Sequence, residues 1–521
     1  MKQDNKKRGL LVICVVLLLL SSCSENETVS YKCPDCNVIL ISIDTLRADH
    51  LGCYGYYRNT SPNIDEFAKS AVLFKNVHSV SPWTLPSHAS ILTSLYPSQH
   101  GAHSLDGSLS NCSKITQNAV LLSEILKKNG FFTVGIVQSY FVSSHFGFDR
   151  GFDIFREIDS FASMNKSVEL FEQLVPQLKE KRFFLFFHTY QVHNPHNPEP
   201  KFLAMFNELN DSIKLAVLEG HHLCEGHGCK YETIVEYIIN KTNLSSSQIS
   251  EGIKRLVEEG TIKVFKSRNR SLYLLSDWNN KKNKRHIINL YDADVRQMDY
   301  YLGKFLSLIK KYDLWNHSII ILTADHGEAF FDAHNNNHTL DISHCHLYEP
   351  VIRIPLIIYY PNIKPSINDV RVSSLDILPT VLNLIKLQYD SSSFMGKSIF
   401  SNEQSPVKLF FVEQFRLGGL KAVITPQYKY ILHLSNKSEE LYDIESDPYE
   451  YENLAKNETN VTALFRQALM TFNTTPGTFI YKIKDHLLLK EHLSNKNLAY
   501  PDFVNLSEKV INRLGRLGYL D

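Results

Sequence analysis

Five short, almost unbroken apolar runs constrain this chain more than any other feature. They are VILISID (Val38 to Asp44), FFTVGIV (Phe131 to Val137), FFLFFHTY (Phe183 to Tyr190), SIIILTAD (Ser318 to Asp325) and IPLIIYY (Ile354 to Tyr360). A strand with one wet face alternates apolar and polar residues, so runs of this kind belong to a sheet covered on both faces. Helical patterns lie between them. AVLLSEILKKNG ends on the glycine expected after a helix, and DADVRQMDYYLGKFLSLIKKY sets Val295, Met298, Leu302, Phe305 and Ile309 on one stripe. The alternation predicts an α/β fold with a central, mostly parallel sheet flanked by helices. Ligands gather at the C-terminal ends of such strands, and Asp44, His188 and Asp325 fall there.

The remaining sequence sets the boundaries. Lys2, Lys6, Lys7 and Arg8 precede an apolar core, Leu10 to Leu20, that is shorter than the ~20 residues of a membrane span. The LSSC that follows is similar to a bacterial lipobox, with Cys23 as the lipidated first residue. Residues 1–22 thus read as a lipoprotein signal peptide and 23–36 as a tether; an uncleaved anchor is the alternative. Either way the body faces a compartment outside the cytoplasm, at the periplasmic or outer surface of a bacterial envelope. Cysteine spacing agrees: Cys33/Cys36 and Cys224/Cys229 are close enough for local disulfides. Cys53, Cys112 and Cys345 read as buried thiols.

Residues 37–404 form the expected catalytic domain. Within it, 201–285 reads helix, turn, helix and basic hairpin, an order that resembles a winged helix-turn-helix. On an exported chain this segment reads as a lid or partner-binding insertion. The balance of Lys+Arg 55 against Asp+Glu 55 creates no net field for nucleic acid, and no such partner is expected. From 405 to 521 a Pro-turn hairpin, a short strand and amphipathic helices suggest a small antiparallel C-terminal subdomain.

The chemistry-bearing residues fall at strand ends and in one turn. SPWTLPSHASILTSLYPSQHG places the hydroxyl of Thr84 at a strand or loop end, followed by Pro86 and a helix starting near Ser87. Asp44, Asp325 and His326 offer two carboxylates and an imidazole, a set suited to one divalent cation with an open position.

In order along the chain stand NVILISIDTLRADHLGCYGY, TSPNIDEFAKSAVLFKNVHSVSPWTLPSHASILTSLYPSQHG, TADHGE, LYEPVIRIPLII, SLDILPTVLNLI and LYDIESDPYEYENLA. This series resembles the sulfatase family of the alkaline phosphatase superfamily over nearly all of residues 37–521 outside the insertion. The resemblance implies that Asp44, Asp325 and His326 are metal ligands and Thr84 the nucleophile. Thr45 stands where many members carry a second Asp. His193, in QVHNPH, matches a substrate-anion contact, with Gln191 where the family has Asp. His344 or His346, before LYEP, matches a group on the anion or leaving oxygen. His88 replaces an Arg and would orient the nucleophile or touch substrate, as would His188; Arg47 and His100 would brace the site. Members with two metals need a further Asp/His trio, and with the matching Asp absent at Gln191 one ion is expected, its identity (Ca, Mn, Zn or Mg) open.

Thr84 decides the chemistry. Sulfatases oxidise Cys or Ser to formylglycine; oxidised Thr would be a poorly hydrated ketone. A Thr hydroxyl beside a cation is instead a direct nucleophile, as in phosphodiesterases and phosphoethanolamine transferases of the same superfamily. The sequence therefore favours phosphate mono- or diester hydrolysis or transfer on a small-molecule, glycan or lipid-headgroup ester. Sulfuric ester hydrolysis is the runner-up, and a catalytically silent scaffold the alternative of another class.

Overall fold

The computed structural model describes residues 32–104, 111–160, 162–194, 196–206, 229–230, 235, 239, 245–258, 262–267, 270–275, 281–330, 333–334, 338–339, 346–401, 409–416 and 418–472. The leader, Cys23, Cys224, His344, Cys345 and the helices expected after 472 lie outside them.

The apolar runs become the strands of one eight-stranded sheet. Its members are β1 (Asn37–Ile43), β2 (Val72–His78), β3 (Phe132–Ser139), β4 (Ile154–Asp159), β5 (Phe183–Thr189), β6 (Ser318–Thr323), β7 (Leu356–Tyr359) and β8 (Ser366–Ser373), in the order β8-β2-β7-β6-β1-β5-β3-β4. Every residue of β1, β5 and β6 is buried, as continuous apolar runs require. β1 is parallel to both β5 and β6, which sets Ser42 level with His188 on one side and Thr323 on the other. β7 departs from the parallel pattern: it is antiparallel to both β2 and β6.

Alternate side chains of β5 meet different layers. Phe187 packs 4.6 Å, centroid to centroid, from Phe305, whose helix carries the predicted stripe, with Phe171 from a neighbouring helix at the same distance. Phe186 points to the other layer and meets His88 at 6.2 Å. We label the helices α1 (Thr84–Thr93), α2 (Met164–Leu178), α3 (Lys281–Lys311) and α4 (Thr459–Phe472). The α3 stripe of Val295, Met298, Leu302, Phe305 and Ile309 is wholly buried.

The start of α1 corrects the expectation of a helix from Ser87. Thr84 is already its first residue, with Trp83 extended before it and Pro86 inside the first turn. A first-turn N–H has no intrahelical acceptor, so proline loses nothing there.

The C-terminal region contains a four-stranded antiparallel sheet, β9 (Phe410–Gln414), β10 (Leu420–Ile424), β11 (Tyr428–His433) and β12 (Glu439–Asp443), in sequential order. One face packs Phe411, Val423 and Tyr430 against Phe465 and Leu469 of α4 together with Val80 and Tyr96. The other packs Phe410, Ala422 and Tyr442 against Leu347 and Val351. A buried charge cluster closes the seam with the main sheet. Lys429 Nζ is 3.1 Å from Glu349 Oε1 and also pairs with Glu450. His78 Nε2 lies 3.0 Å from Glu349 Oε2, and the Glu349 amide donates to Glu450 Oε2 at 2.8 Å.

Within the 201–285 segment, a helix at Ser246–Glu258 precedes an antiparallel hairpin, Ile262–Ser267 with Arg270–Leu275, which also pairs with Cys229–Lys230. Cys33 and Cys36 are joined by a disulfide, and the Cys33 amide donates to the Leu384 carbonyl at 2.7 Å.

Candidate active site

Asp44 leaves the end of β1 and Asp325 follows β6; because these strands are adjacent and parallel, the two carboxylates meet. Both residues are fully buried. Neither oxygen of Asp44 nor Oδ2 of Asp325 has a hydrogen-bond partner among the described residues. Oδ1 of Asp325 is occupied, accepting the amides of Thr45 at 3.2 Å and His326 at 2.8 Å. Thr45 reaches it from the left-handed region, at φ 55°. Tyr291, from α3, fixes that turn: its hydroxyl donates to the Thr45 carbonyl and accepts the Arg47 amide, each at 2.8 Å.

Three imidazoles converge on Asp44. His326 Nδ1 donates to the Gly327 carbonyl at 2.8 Å, so its Nε2 lone pair turns to the cluster, 3.8 Å from Asp44 Oδ1 and 3.4 Å from Asp325 Oδ2. His188 repeats the device: Nδ1 donates to the Gln138 carbonyl at 3.0 Å and Nε2 lies 3.5 Å from Asp44 Oδ2. His193 Nε2 is 4.0 Å from Asp44 Oδ1, and its side chain is 25% exposed. The Oγ1 atom of Thr84, at the start of α1, is 3.5 Å from His326 Nε2.

Electrostatics separates the two acids. Burial, then the charge of Asp325, pushes Asp44 well above the ordinary carboxylate range. Burial would raise Asp325 as well, but the charge that His326, His88 and His188 take up on protonation, His326 first, together with the His326 amide, outweighs it and holds it low. Burial keeps His188 well below its usual value, hence neutral. Unpaired carboxylate oxygens facing imidazole lone pairs repel one another unless a proton or a cation lies between them. The donor sets Asp44–Asp325–His326 and Asp44–His88–His188 each have ligand atoms within 4.8 Å of one another, and the first fits a divalent cation. His88 is otherwise engaged: Nδ1 donates to the Thr84 carbonyl at 3.0 Å and Nε2 accepts from Ser42 Oγ at 2.9 Å.

The other expected residues take these positions. His100 accepts the Ala102 amide and lies 3.0 Å from Ser90 Oγ, bracing α1 from behind. Arg47 pairs with Asp49 and donates to the Glu328 carbonyl at 3.0 Å. Gln191 accepts the Met164 amide at 3.0 Å and so caps α2. His346 packs 5.1 Å from Tyr348. One site residue escaped notice in the sequence. Tyr190 is buried, edge-on to both His188 at 4.8 Å and His193 at 5.3 Å, and accepts the Phe141 amide at 3.3 Å. Its place at the end of β5 was the available signal.

Fold and site together define a hydrolase of the alkaline phosphatase superfamily. Within it the chain belongs to the sulfatase family, whose model matches residues 36–387. It is a sulfatase-like ester hydrolase. A second family model, N-sulphoglucosamine sulphohydrolase, C-terminal, matches residues 342–474. The chain is similar to an endo-4-O-sulfatase of Bacteroides thetaiotaomicron, 21% identical over 538 residues that cover 92% of this chain and 99% of that protein. Among solved structures, BT4656 in complex with its substrate D-glucosamine-2-N,6-O-disulfate matches with TM-score 0.63 and 19% identity, over 84% of this chain and 98% of the other. A phosphonate monoester hydrolase of Agrobacterium radiobacter matches with TM-score 0.59 and 15% identity, over 84% of this chain and 95% of the other.

Proposed function

We propose that this is an exported, cation-dependent hydrolase of phosphate esters carried by a glycan or small molecule, with Thr84 as the nucleophile. The observation that carries this reading is the Thr84 hydroxyl at the head of α1, 3.5 Å from His326 in a cluster of unpaired carboxylate oxygens. Asp44, Asp325 and His326 would hold one divalent cation, with His188 as a further candidate. When bound, the cation would supply positive charge that lowers the hydroxyl pKa and balances the ester oxygens. Thr84 Oγ1 then gives up its proton to solvent water and attacks phosphorus, the bond to the leaving oxygen breaks, and His193, protonated on the solvent side, passes its proton to that oxygen. Water attacks phospho-Thr84, releasing phosphate and restoring the hydroxyl.

Sulfuric ester hydrolysis is the second reading, favoured by relatives named as sulfatases. Export is supported by the basic leader and the Cys33–Cys36 disulfide. Anchoring through a lipid on Cys23, and a lid role for 201–285, belong to the same proposal. Matched 4-nitrophenyl phosphate, phenylphosphonate and sulfate, assayed with Ca, Mn, Zn or Mg, test it. Faster phosphoryl turnover is expected; preferential sulfate turnover would transfer the assignment to the second reading, and no turnover would leave a silent scaffold.

A further inference from the structure

Two buried donors, one on the residue before the nucleophile and one over that residue's ring, have no acceptor among the described residues. Trp83 immediately precedes Thr84 and is 2% exposed, and its Nε1 has no hydrogen-bond partner among the described residues. Arg416, just past β9 in the C-terminal sheet, lies over that indole with Cζ 5.5 Å from the ring centroid. Its Nε is buried and equally unpartnered. The acid on the same strand is already occupied: Glu413 Oε1 forms an ion pair with Lys421 Nζ at 3.0 Å and Oε2 accepts the Ser98 amide at 2.9 Å.

A cation over an indole gains about 0.5–2 kcal/mol, whereas each buried N–H without an acceptor costs about 1–3 kcal/mol. Indole N–H and guanidinium are donors only. The group that satisfies both is acceptor-only and negatively charged. The wall continues outward, for Phe141 packs edge-on to Trp83 at 5.4 Å and Tyr140, 63% exposed, packs on Phe141 at 4.7 Å.

We infer that Trp83 and Arg416 form an oxyanion subsite beside Thr84 that binds a sulfate, phosphate or carboxylate group of the substrate. The inference rests on Thr84 marking the reacting centre. The oxyanion is either the scissile ester or a second anionic substituent on the same ring.

The test uses the full chain. In a Thr84→Ala background, calorimetry measures binding of inorganic sulfate and inorganic phosphate with and without Arg416→Met, which keeps an apolar cover over the indole but loses the charge. Affinity should fall at least tenfold with Met and less with Arg416→Lys. In the active enzyme, KM is compared for a glucose ester and the matching glucuronic acid ester. A rise for both identifies the scissile group; a rise confined to the uronate identifies a second anion. Should Arg416→Met melt early, Arg416→Gln at native melting temperature decides. Absence of anion binding by the Arg416 parent, or equal binding and KM in the Met variant, overturns the subsite. Absence of turnover on any ester would overturn the Thr84 reaction while leaving the calorimetric result intact.

Discussion

Nε2 of His188 faces Oδ2 of Asp44 across 3.5 Å, while Nδ1 of the same ring is committed to the Gln138 carbonyl. A carbonyl only accepts, so Nδ1 carries the proton and a lone pair confronts a carboxylate at full burial. The same holds for His326 on the other side of Asp44. The folded chain thus concentrates electron density around one point, and a proton on Asp44 or a cation between the groups relieves it.

Divalent cation should therefore stabilise the protein. At a hundredfold excess over Kd, about 2.7 kcal/mol is expected, read as a raised melting temperature. Asp44→Asn should abolish most of that shift and weaken cation binding in calorimetry by at least the about 10- to 100-fold that changing a group behind a ligand costs. A melting temperature indifferent to Ca, Mn, Zn and Mg would exclude the site as a cation centre.

Thr84→Ala should lower kcat by at least about a thousandfold with little change in melting temperature. Thr84→Ser should keep turnover, because the attacking hydroxyl survives. Quenching the wild type with acid during phosphate-ester turnover should leave a phosphoryl group on the Thr84 peptide by mass spectrometry. An unmodified peptide at saturating substrate would argue against a covalent path.

Tyr291→Phe removes one hydroxyl and with it two hydrogen bonds on the turn after Asp44. The buried Arg47 amide loses its acceptor, so a cost of about 1–3 kcal/mol in denaturant unfolding is expected. Loosening Thr45 also loosens its amide from Asp325, and cation affinity should fall in parallel. Unchanged affinity would confine Tyr291 to stability.

The seam around Glu349 predicts two opposite pH slopes. Burial lowers His78 from 6.5 to about 4 despite Glu349 beside it. Its contribution is present above pH 6.5 and lost as pH falls towards 4, roughly 3 kcal/mol in all. Burial raises Glu450 from 4.5 to about 7. Its contribution is present below 4.5 and lost as pH rises through 7. Melting curves should show a flatter acid limb in His78→Gln, whereas in Glu450→Gln the deficit relative to wild type should grow on acidification from 7 to 5. Parallel curves for both variants would contradict this reading.

Strand-end site residues were legible in the sequence because a buried parallel strand announces itself by composition and its end follows by counting. Asp44, His188 and Asp325 were found in that way, and their convergence required only that their strands be neighbours. The direction of β7 was not legible, since an apolar run reads alike in either orientation. Pro86 misled the start of α1 because proline marks both loops and first turns. Nothing in the sequence sets Tyr190 and Tyr291 apart from other aromatics, and only the fold shows their hydroxyls against backbone amides. Arg416 had no signal at all, for nothing in its own segment announces Trp83.

The cluster of His78, Glu349, Lys429 and Glu450 has a consequence for how such a chain can change over time. His78 stands on the main sheet and Lys429 on the C-terminal one, with Glu349 on a short helix and Glu450 in a loop between them, and Lys429 and Glu450 are fully enclosed. Parting the sheets would strand a buried ammonium and its acids without compensation, a cost of several kcal/mol per ion. The C-terminal sheet is therefore not an interchangeable cassette. A chimera that exchanged it between relatives would have to carry the acid at Glu349 and the imidazole at His78 with it, as one inherited unit.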